Sequence, residues 1–226
     1  MVIGSGLLAG AFMHLKIDNI IIFASGVSNS KCVDDREFLR EQVLLEETLK
    51  IGLPIIYFST CSIYDSSLTN SPYILHKQSM ENLIRKRQNK YLIFRLPNVV
   101  GKSENPNTML NFFYHSLIAR RKIIVHRCAT RYLIHVSDVS RIVTQIITSG
   151  CINNQIINLV YPRLFKVVEI IEAFERHSDT KFDIELVDTG SSYEVDLTSL
   201  QNLGIEVENK TQMKNLDEMI RDTYFQ

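Results

Sequence analysis

The chain begins with Met1-Val2-Ile3-Gly4-Ser5-Gly6-Leu7-Leu8-Ala9, a short apolar strand that runs into a glycine turn and then a helix. This order of residues matches G-x-G-x-x-G/A, the pattern of turns that hold the phosphates of a dinucleotide. Gly4 permits a tight turn, Gly6 lets the backbone approach a pyrophosphate, and Ala9 allows the helix to pack closely on the strand. Because the pattern alone is weak, a plain strand–helix turn remains the alternative.

Beyond this turn, short β-branched runs alternate with helical stretches. Strands are predicted over 1–5, 19–24, 54–59, 91–95, 122–126, 155–160 and 182–187. Helices are predicted over 7–15, 34–50, 72–88, 107–120, 137–149, 166–177 and 215–224, with Asp34 or Asp35, Ser71 and Ser137 as N-caps. This alternation favours a doubly wound, Rossmann-like α/β fold with a parallel sheet. We predict such a domain over 1–160 and a small C-terminal α+β substrate lobe over 161–226, to which 98–135 contribute.

Composition excludes several classes of protein. The 226 residues carry 25 Lys+Arg against 25 Asp+Glu, so the basic surplus of a typical nucleic-acid-binding protein is missing. No apolar run reaches about 18 residues, which argues against a membrane span. The start of the chain lacks the basic segment of a secretory signal, and the four cysteines are too widely spaced for a disulfide framework. These features predict a cytoplasmic protein with free thiols. The six histidines show no metal-ligand spacing, so no metal site is predicted.

A second pattern concerns proton transfer. Tyr73 and Lys77 stand four residues apart at the start of a predicted helix, and therefore on one face. A nearby ammonium favours the phenolate and is expected to lower the pKa of Tyr73. Thr60 ends the preceding strand, at the carboxyl edge where open α/β sheets bind ligands. The three side chains together predict acid–base chemistry on a substrate alcohol or ketone.

These motifs, taken in order, resemble the extended short-chain dehydrogenase/reductases, in particular the NAD-dependent nucleotide-sugar epimerases, dehydratases and reductases. The resemblance runs to about residue 139. It is carried by Gly4-Ser5-Gly6-Leu7-Leu8-Ala9, Ile22-Phe23-Ala24-Ser25-Gly26, Phe58-Ser59-Thr60 with Ile63-Tyr64, Ser71-Pro72-Tyr73-x-x-x-Lys77-x-x-x-Glu81, Phe94-Arg95-Leu96-Pro97-Asn98-Val99-Val100-Gly101 and Arg131-Tyr132-Leu133-Ile134-His135-Val136-Ser137-Asp138-Val139.

The resemblance implies roles for single positions. Thr60 is expected to bind the reacting sugar oxygen, Tyr73 to be the acid–base group, and Lys77 to activate it and bind the nicotinamide ribose. The other implied cofactor contacts are Gly4, Gly6, Leu7, Leu8, Ala24, Ser25, Gly26, Ser59 and Pro97. The other implied substrate contacts are Cys61, Ser62, Asn98 and Arg131, with Arg131 at the diphosphate or base.

The implied reaction is simple hydride transfer on a nucleotide-activated sugar, in a surface-polysaccharide or glycan pathway. Family dehydratases carry an Asp-Glu pair directly after the threonine, where this chain has Cys61-Ser62. Members that also epimerise carbons beside a ketone use a cysteine and a histidine where this chain has Ser62 and, approximately, Met109. Reduction of a keto-sugar is therefore favoured. Epimerisation with bound NAD and a non-catalytic, cofactor-binding subunit remain the alternatives.

The chain departs from the family in one respect. Family members are usually longer, and most of the deficit lies between Leu15 and Asp18, where two strands and a helix that form the adenosine pocket are expected. No acidic residue ends the strand 19–24, so no ribose ligand is predicted and NAD and NADP remain open. The resemblance also implies a homodimer that pairs the helices 34–50 and 73–88 with those of its mate.

Overall fold

The structure, a computed structural model, describes residues 1–15, 18–150, 152–204 and 215–226. The predicted site of the missing chain falls on Lys16 and Ile17, and Cys151 is also outside the described residues. The strands are β1 Val2–Ile3, β2 Ile21–Phe23, β3 Ile55–Thr60, β4 Tyr91–Leu96, β5 Asn98–Val100, β6 Ile123–His126, β7 Thr130–His135, β8 Gln155–Asn158, β9 Leu164–Lys166 and β10 Ile184–Val187. The helices are α1 Leu7–Phe12, α2 Asp35–Leu49, α3 Pro72–Arg87, α4 Met109–Ile118, α5 Val136–Thr148, α6 Val167–Arg176, α7 Thr198–Gln201 and α8 Leu216–Tyr224, and two 3₁₀ turns span Cys61–Tyr64 and Ser66–Leu68.

A parallel five-stranded sheet forms the centre, with the order β1-β2-β3-β4-β8. Its inner strands are continuous apolar runs because both faces are covered, and β2 and β3 are buried throughout. In register, Ile22 stands beside Val2 on one side and Ile56 on the other. The Rossmann-like α/β prediction is confirmed.

Alternate residues of each strand build two cores on opposite faces of the sheet. Ile22, Ile56 and Phe94 pack with α1 and α5 on one face. Tyr57 and Ile93 pack with α2 and α3 on the other. Successive side chains of a strand point to opposite faces, so the strand residues that a helix contacts show on which face that helix lies.

Helix α1 lies on the opposite face from α2, although both helices link neighbouring strands in the same direction. The steps from β1 to β2 and from β2 to β3 both run towards β4. Two parallel crossovers that step the same way on opposite faces have opposite hands, and nearly all natural crossovers are right-handed. The β1–α1–β2 and β2–α2–β3 units therefore cannot both obey the rule.

A third core lies beside the central sheet. β5, β7 and β9 form one small sheet, and β6 pairs with β10 in another. Their apolar side chains pack with α4, α6 and α8 around Phe174. Residues from both sides of position 160 share this core, and the division of the chain at 160 stays a prediction.

Several predicted bounds differ from the structure. Helix α1 ends at Phe12 rather than at 15, and the three-residue strands β5 and β9 were not predicted. Asp34 and Ser71 are confirmed as N-caps, since their side chains accept from Arg36 N and Ile74 N. Ser137 is wrong as an N-cap, because α5 begins one residue earlier and His135 caps it. Among the described residues, each helix falls short of the length or apolar character that a membrane span requires.

Candidate active site at the carboxyl edge of the sheet

The glycine turn after β1 has the geometry that its sequence predicts. Gly4 has φ +129°, and a Cβ there would collide with the carbonyl oxygen of Ala24, at the end of β2. Gly6 precedes α1 in an extended conformation, is exposed, and has no atom within 4 Å of the place where a Cβ would stand. Leu7 and Leu8 are half-buried behind it. The turn is therefore closed towards β2 and open towards solvent, with the first N–H groups of α1 free of a side-chain cap.

Thr60 and Tyr73 meet at the carboxyl edge of β3. The Thr60 hydroxyl lies close enough to the Tyr73 hydroxyl to act on its ionisation, and Thr60 Oγ1 accepts from Ser62 N at 3.0 Å. Tyr73 is 6% exposed and Thr60 7%. Ser71 and Pro72 start α3 at this point, and the first turn of the helix thereby places Tyr73 beside the strand end. The structure thus brings these two predicted site residues together; that both bind one substrate oxygen stays a prediction.

The ionisation of Tyr73 differs from the prediction. Burial raises the pKa of Tyr73, the hydrogen bond from Thr60 opposes that rise, and the charge of Glu41 adds to it. The prediction that Lys77 lowers this pKa is wrong for this arrangement, because the lysine charge is engaged by a carboxylate. Tyr73 is therefore a neutral phenol at neutral pH.

Lys77 is held by Glu41, which sequence reasoning missed. Lys77 Nζ donates to Glu41 Oε1 at 3.0 Å and to Oε2 at 3.3 Å, and it also lies 3.3 Å from the Tyr57 hydroxyl. The carboxylate is fully buried and accepts further bonds from Tyr57 Oη at 2.6 Å and Val27 N at 2.6 Å, and it pairs with His76 Nε2 at 3.0 Å. Burial raises the pKa of Glu41, but the Lys77 charge and these hydrogen bonds outweigh it and lower the pKa to about 2.

The backbone between β2 and α2 packs against this ion pair. A Cβ on Gly26 would lie 2.5 Å from Lys77 Nζ and 3.1 Å from Glu41 Oε1. Ala24 and Ser25 are half-buried beside it. Arg40 from α2 reaches the same turn and donates to Ser25 Oγ at 3.2 Å and to its carbonyl oxygen at 3.3 Å. The Ala24-Ser25-Gly26 turn therefore lies next to the head of Lys77, as the resemblance implies.

A buried polar network fixes the residues around Ser59. Ser59 Oγ donates to Glu81 Oε1 at 2.6 Å, and Arg95 binds the same carboxylate through Nε at 2.9 Å and Nη2 at 2.6 Å. Arg95 Nη1 donates to Tyr64 Oη at 2.8 Å. This fork-shaped pairing links α3, β4 and the turn that follows Thr60, and so holds the edge of the sheet in place.

Cys61 is buried rather than presented to solvent. Its Sγ donates to the Arg95 carbonyl oxygen at 3.2 Å, and it packs with Tyr132 and Tyr193. Burial raises the pKa of the Cys61 thiol, so the group is a neutral thiol. Ser62 beside it is half-buried.

The remaining predicted substrate residues bond main-chain carbonyls. Asn98, which follows Pro97 at the start of β5, donates through Nδ2 to Tyr132 O at 3.3 Å. Arg131 on β7 donates through Nη1 to Thr130 O at 2.7 Å and to Ser191 O at 3.0 Å. Both side chains thus lie around one segment of β7, whose Tyr132 packs on Cys61, the residue after Thr60. Within the described ranges, His, Cys, Asp and Glu side chains form no group of three that could hold a metal ion.

Comparisons with known proteins agree with this geometry. The model of the NAD dependent epimerase/dehydratase family matches residues 4–159. Among solved structures, TunA, an NAD-dependent NDP-hexosamine 5,6-dehydratase involved in tunicamycin biosynthesis, is similar with a TM-score of 0.72 at 17% identity, over 91% of this chain and 76% of that one. The Bordetella bronchiseptica enzyme WbmH with NAD+ has a TM-score of 0.71 at 17% identity, over 91% and 74%. UDP-glucose 4-epimerase of Thermus thermophilus with NAD has 0.69 at 15%, over 94% and 78%. No curated protein matches the sequence.

A parallel sheet with a glycine turn between its first strand and first helix is typical of Rossmann-like dinucleotide-binding proteins. The chain belongs to the NAD dependent epimerase/dehydratase family. NAD is therefore its cofactor, and the open side of Gly6 fits that group because a phosphate can approach the backbone there. Gly4 and Gly6 would hold its pyrophosphate, and Gly26 and Lys77 would lie beside its nicotinamide ribose.

Proposed function

We propose that the protein reduces the keto group of a nucleotide-activated sugar, with Tyr73 as the proton donor. The observation that supports this is the closeness of the buried Thr60 and Tyr73 hydroxyls at the carboxyl edge of β3. A buried, neutral phenol holds a proton to give at neutral pH, which suits reduction better than oxidation. The nucleotide-sugar class is suggested by similar folds, which include enzymes described with UDP-glucose and UDP-glucuronic acid.

The chain's own residues have two tasks in this reaction. When bound in its reduced form, NAD would supply the hydride that adds to the carbonyl carbon. Thr60 and Tyr73 would bind the carbonyl oxygen, and Tyr73 would transfer its proton to that oxygen as the negative charge develops. The carbonyl is thereby reduced to an alcohol, and the phenol regains its proton from solvent. Asn98 and Arg131 are proposed to contact the sugar and its diphosphate.

Dehydration is disfavoured by the state of Cys61. Elimination of water needs an acid and a base beside the threonine, and Cys61 is a neutral thiol bonded to a backbone carbonyl. Epimerisation with tightly held NAD is the second candidate, because UDP-glucose 4-epimerases are among the similar folds. A non-catalytic subunit is the third, since Lys77 is engaged by Glu41 rather than available to activate Tyr73.

A panel of nucleotide-linked 4-keto-sugars and their alcohols, incubated with NADH deuterated at the transferred position, separates these candidates. Reduction predicts one deuterium on the product and stoichiometric loss of NADH. Epimerisation predicts interconversion of two alcohols with no net change in NADH. If no member of the panel reacts, the enzymatic proposal fails and the non-catalytic candidate stands.

We also propose a homodimer through α2 and α3. Leu39 and Val43 of α2, one helical turn apart, are 59% and 49% exposed, and Leu75 of α3 is 53% exposed. Apolar residues of this size on neighbouring helices are typical of an interface between subunits. Sedimentation of the wild type should give a dimer, and Leu39→Glu together with Val43→Glu should give a monomer. A wild-type monomer at high concentration would contradict the proposal.

A further inference from the structure

We infer that the chain recognises the nicotinamide mononucleotide half of NAD, and that the described residues provide no pocket for the adenosine half. This rests on the NAD chemistry of the proposed function, and it concerns which part of the cofactor contributes to binding. Three features of the fold carry it: the edge position of β1, the hand of the first crossover, and the distribution of carboxylates.

The first feature is the edge strand. β1 pairs with β2 on one side and is the last strand of its sheet on the other. Val2 and Ile3 are half-buried, whereas all three residues of β2 are buried. In dinucleotide-binding sheets the cofactor crosses the strand end where the order of strands reverses. Here the order β1-β2-β3-β4-β8 does not reverse, so strands flank the crevice only on the β2 side of β1.

The second feature is the position of α1. In a doubly wound sheet, strands are added first on one side of the first strand and then on its other side. Helices can therefore cover both faces while every crossover stays right-handed. Helix α1 packs on α5, and so on the face opposite α2. A right-handed crossover with its helix on this face would place the next strand on the free side of β1. The helix therefore marks the side on which the sheet is cut short, and that is the adenosine side of the glycine turn.

The third feature is the lack of a ribose ligand. An acidic side chain beyond the second strand normally binds the adenosine ribose hydroxyls. In the described part of the connection from α1 to β2 the one acidic residue is Asp18, which precedes β2 and so lies at the amino edge. Beyond β2, Glu41 is fully buried and bonded to Lys77. No residue of the segment 24–33, which directly follows β2, is acidic, and Asp34, Asp35 and Glu37 stand further along the chain at the start of α2.

What remains at the carboxyl edge serves the other half of the cofactor. Gly6 leaves space for a phosphate, and Gly26, Tyr73 and Lys77 lie on the β2–β3 side of the turn. Nicotinamide mononucleotide carries one phosphate, the ribose and the reactive ring, so it lacks only the second phosphate and the adenosine of NAD. The added adenosine of NAD, or the 2′-phosphate of NADP, would extend past β1 into solvent.

Isothermal titration of the whole chain with NAD, NADP, nicotinamide mononucleotide and AMP tests the inference without any sugar or turnover. The mononucleotide and NADP should each bind within about threefold of NAD, and AMP at least about tenfold more weakly. Gly6→Ala should weaken NAD and the mononucleotide alike by about tenfold, since its Cβ stands in open space and blocks only the phosphate. Gly10→Ala is the matched control, because its Cβ also meets nothing within 4 Å but lies inside α1.

Two results would overturn the inference. If the affinity for NAD is about tenfold or more higher than that for the mononucleotide, the chain has an adenosine pocket. The proposed reduction would still stand in that case. Binding of none of the four compounds would remove both the inference and the NAD chemistry. Thermal shifts of Gly6→Ala and Gly10→Ala would show that both variants remain folded in either case.

Discussion

Lys77 Nζ donates to Glu41 Oε1 over 3.0 Å, and neither side chain is exposed by more than 3%. This ion pair joins the helix that carries Tyr73 to α2, and it places the lysine charge inside the protein. Buried ion pairs are held against a large desolvation cost, so each partner depends on the other. The pair therefore governs both the stability of this edge and the charge near Tyr73.

Removal of the Glu41 charge should strongly destabilise the fold. Glu41→Gln leaves Lys77 buried without its counter-ion, and we expect the free energy of unfolding to fall by about 3–5 kcal/mol in urea titrations. Glu47→Gln is the control, because the Glu47–Lys50 pair is exposed and should contribute less than about 1 kcal/mol. Adding Lys77→Met to Glu41→Gln should recover part of the loss. Equal losses for the two glutamine variants would contradict the account.

Stability should also depend on pH through Glu41. Burial raises its pKa, but Lys77, His76, Tyr57 and the Val27 N–H lower it from 4.5 to about 2 in the folded protein. Because the folded pKa is depressed, the stabilisation is fully present above about pH 4.5 and is lost as the pH falls towards 2.

The shift corresponds to about 3 kcal/mol. In urea titrations across this window, the difference between wild type and Glu41→Gln should be about 2 kcal/mol smaller at pH 3 than at pH 7. A difference that does not change with pH would show that the carboxylate is not the titrating group.

Gly26 should not tolerate a methyl group. A Cβ would lie 2.5 Å from Lys77 Nζ, and that ammonium cannot withdraw without losing Glu41. Gly26→Ala should therefore cost about 1–3 kcal/mol by overpacking, measured as the free energy of unfolding. In an exposed helix, Gly10→Ala should instead raise stability by up to about 1 kcal/mol. A neutral Gly26→Ala would indicate that the turn 24–26 is not packed on the ion pair.

Thr60 should affect turnover more than stability. Thr60→Val removes the hydroxyl that bonds Tyr73 and caps Ser62 N, and it should cost about 1 kcal/mol of stability. Turnover on the reacting keto-sugar should fall by about tenfold or more, whereas Thr60→Ser should restore most of it. If the serine variant is as slow as the valine variant, the hydroxyl is not the group that matters.

The sequence predicted those parts of the site that depend on local order. The glycine turn, the caps of α2 and α3, and the strand end at Thr60 are each set by a few adjacent residues. Thr60 and Tyr73 come together because β3 ends at the carboxyl edge of the sheet and α3 begins there after a short connection. The short strands β5 and β9 could not be predicted, since each exists only by pairing with β7.

Glu41 was missed because α2 carries apolar residues on two sides. The apolar residues Leu39 and Val43 of this helix are exposed, while the buried face is formed by Glu41, Leu45, Thr48 and Leu49. These four residues are spaced three or four apart or adjacent, as on one face of a helix. This spacing could have indicated the buried face from the sequence. A charged residue on such a face is buried only with a partner, and that partner lies 36 residues away.

The central claim is that the Tyr73 hydroxyl gives a proton to the substrate. The most direct measurement compares turnover of Tyr73→Phe and Tyr91→Phe on the keto-sugar that the wild type reduces, with NAD binding measured alongside. Tyr91 is a buried tyrosine at the opposite, amino end of β4, and so controls for the loss of a hydroxyl. We predict that Tyr73→Phe lowers turnover by about 10²–10⁴-fold with unchanged NAD affinity, and that Tyr91→Phe changes neither. Wild-type turnover by Tyr73→Phe would contradict the account.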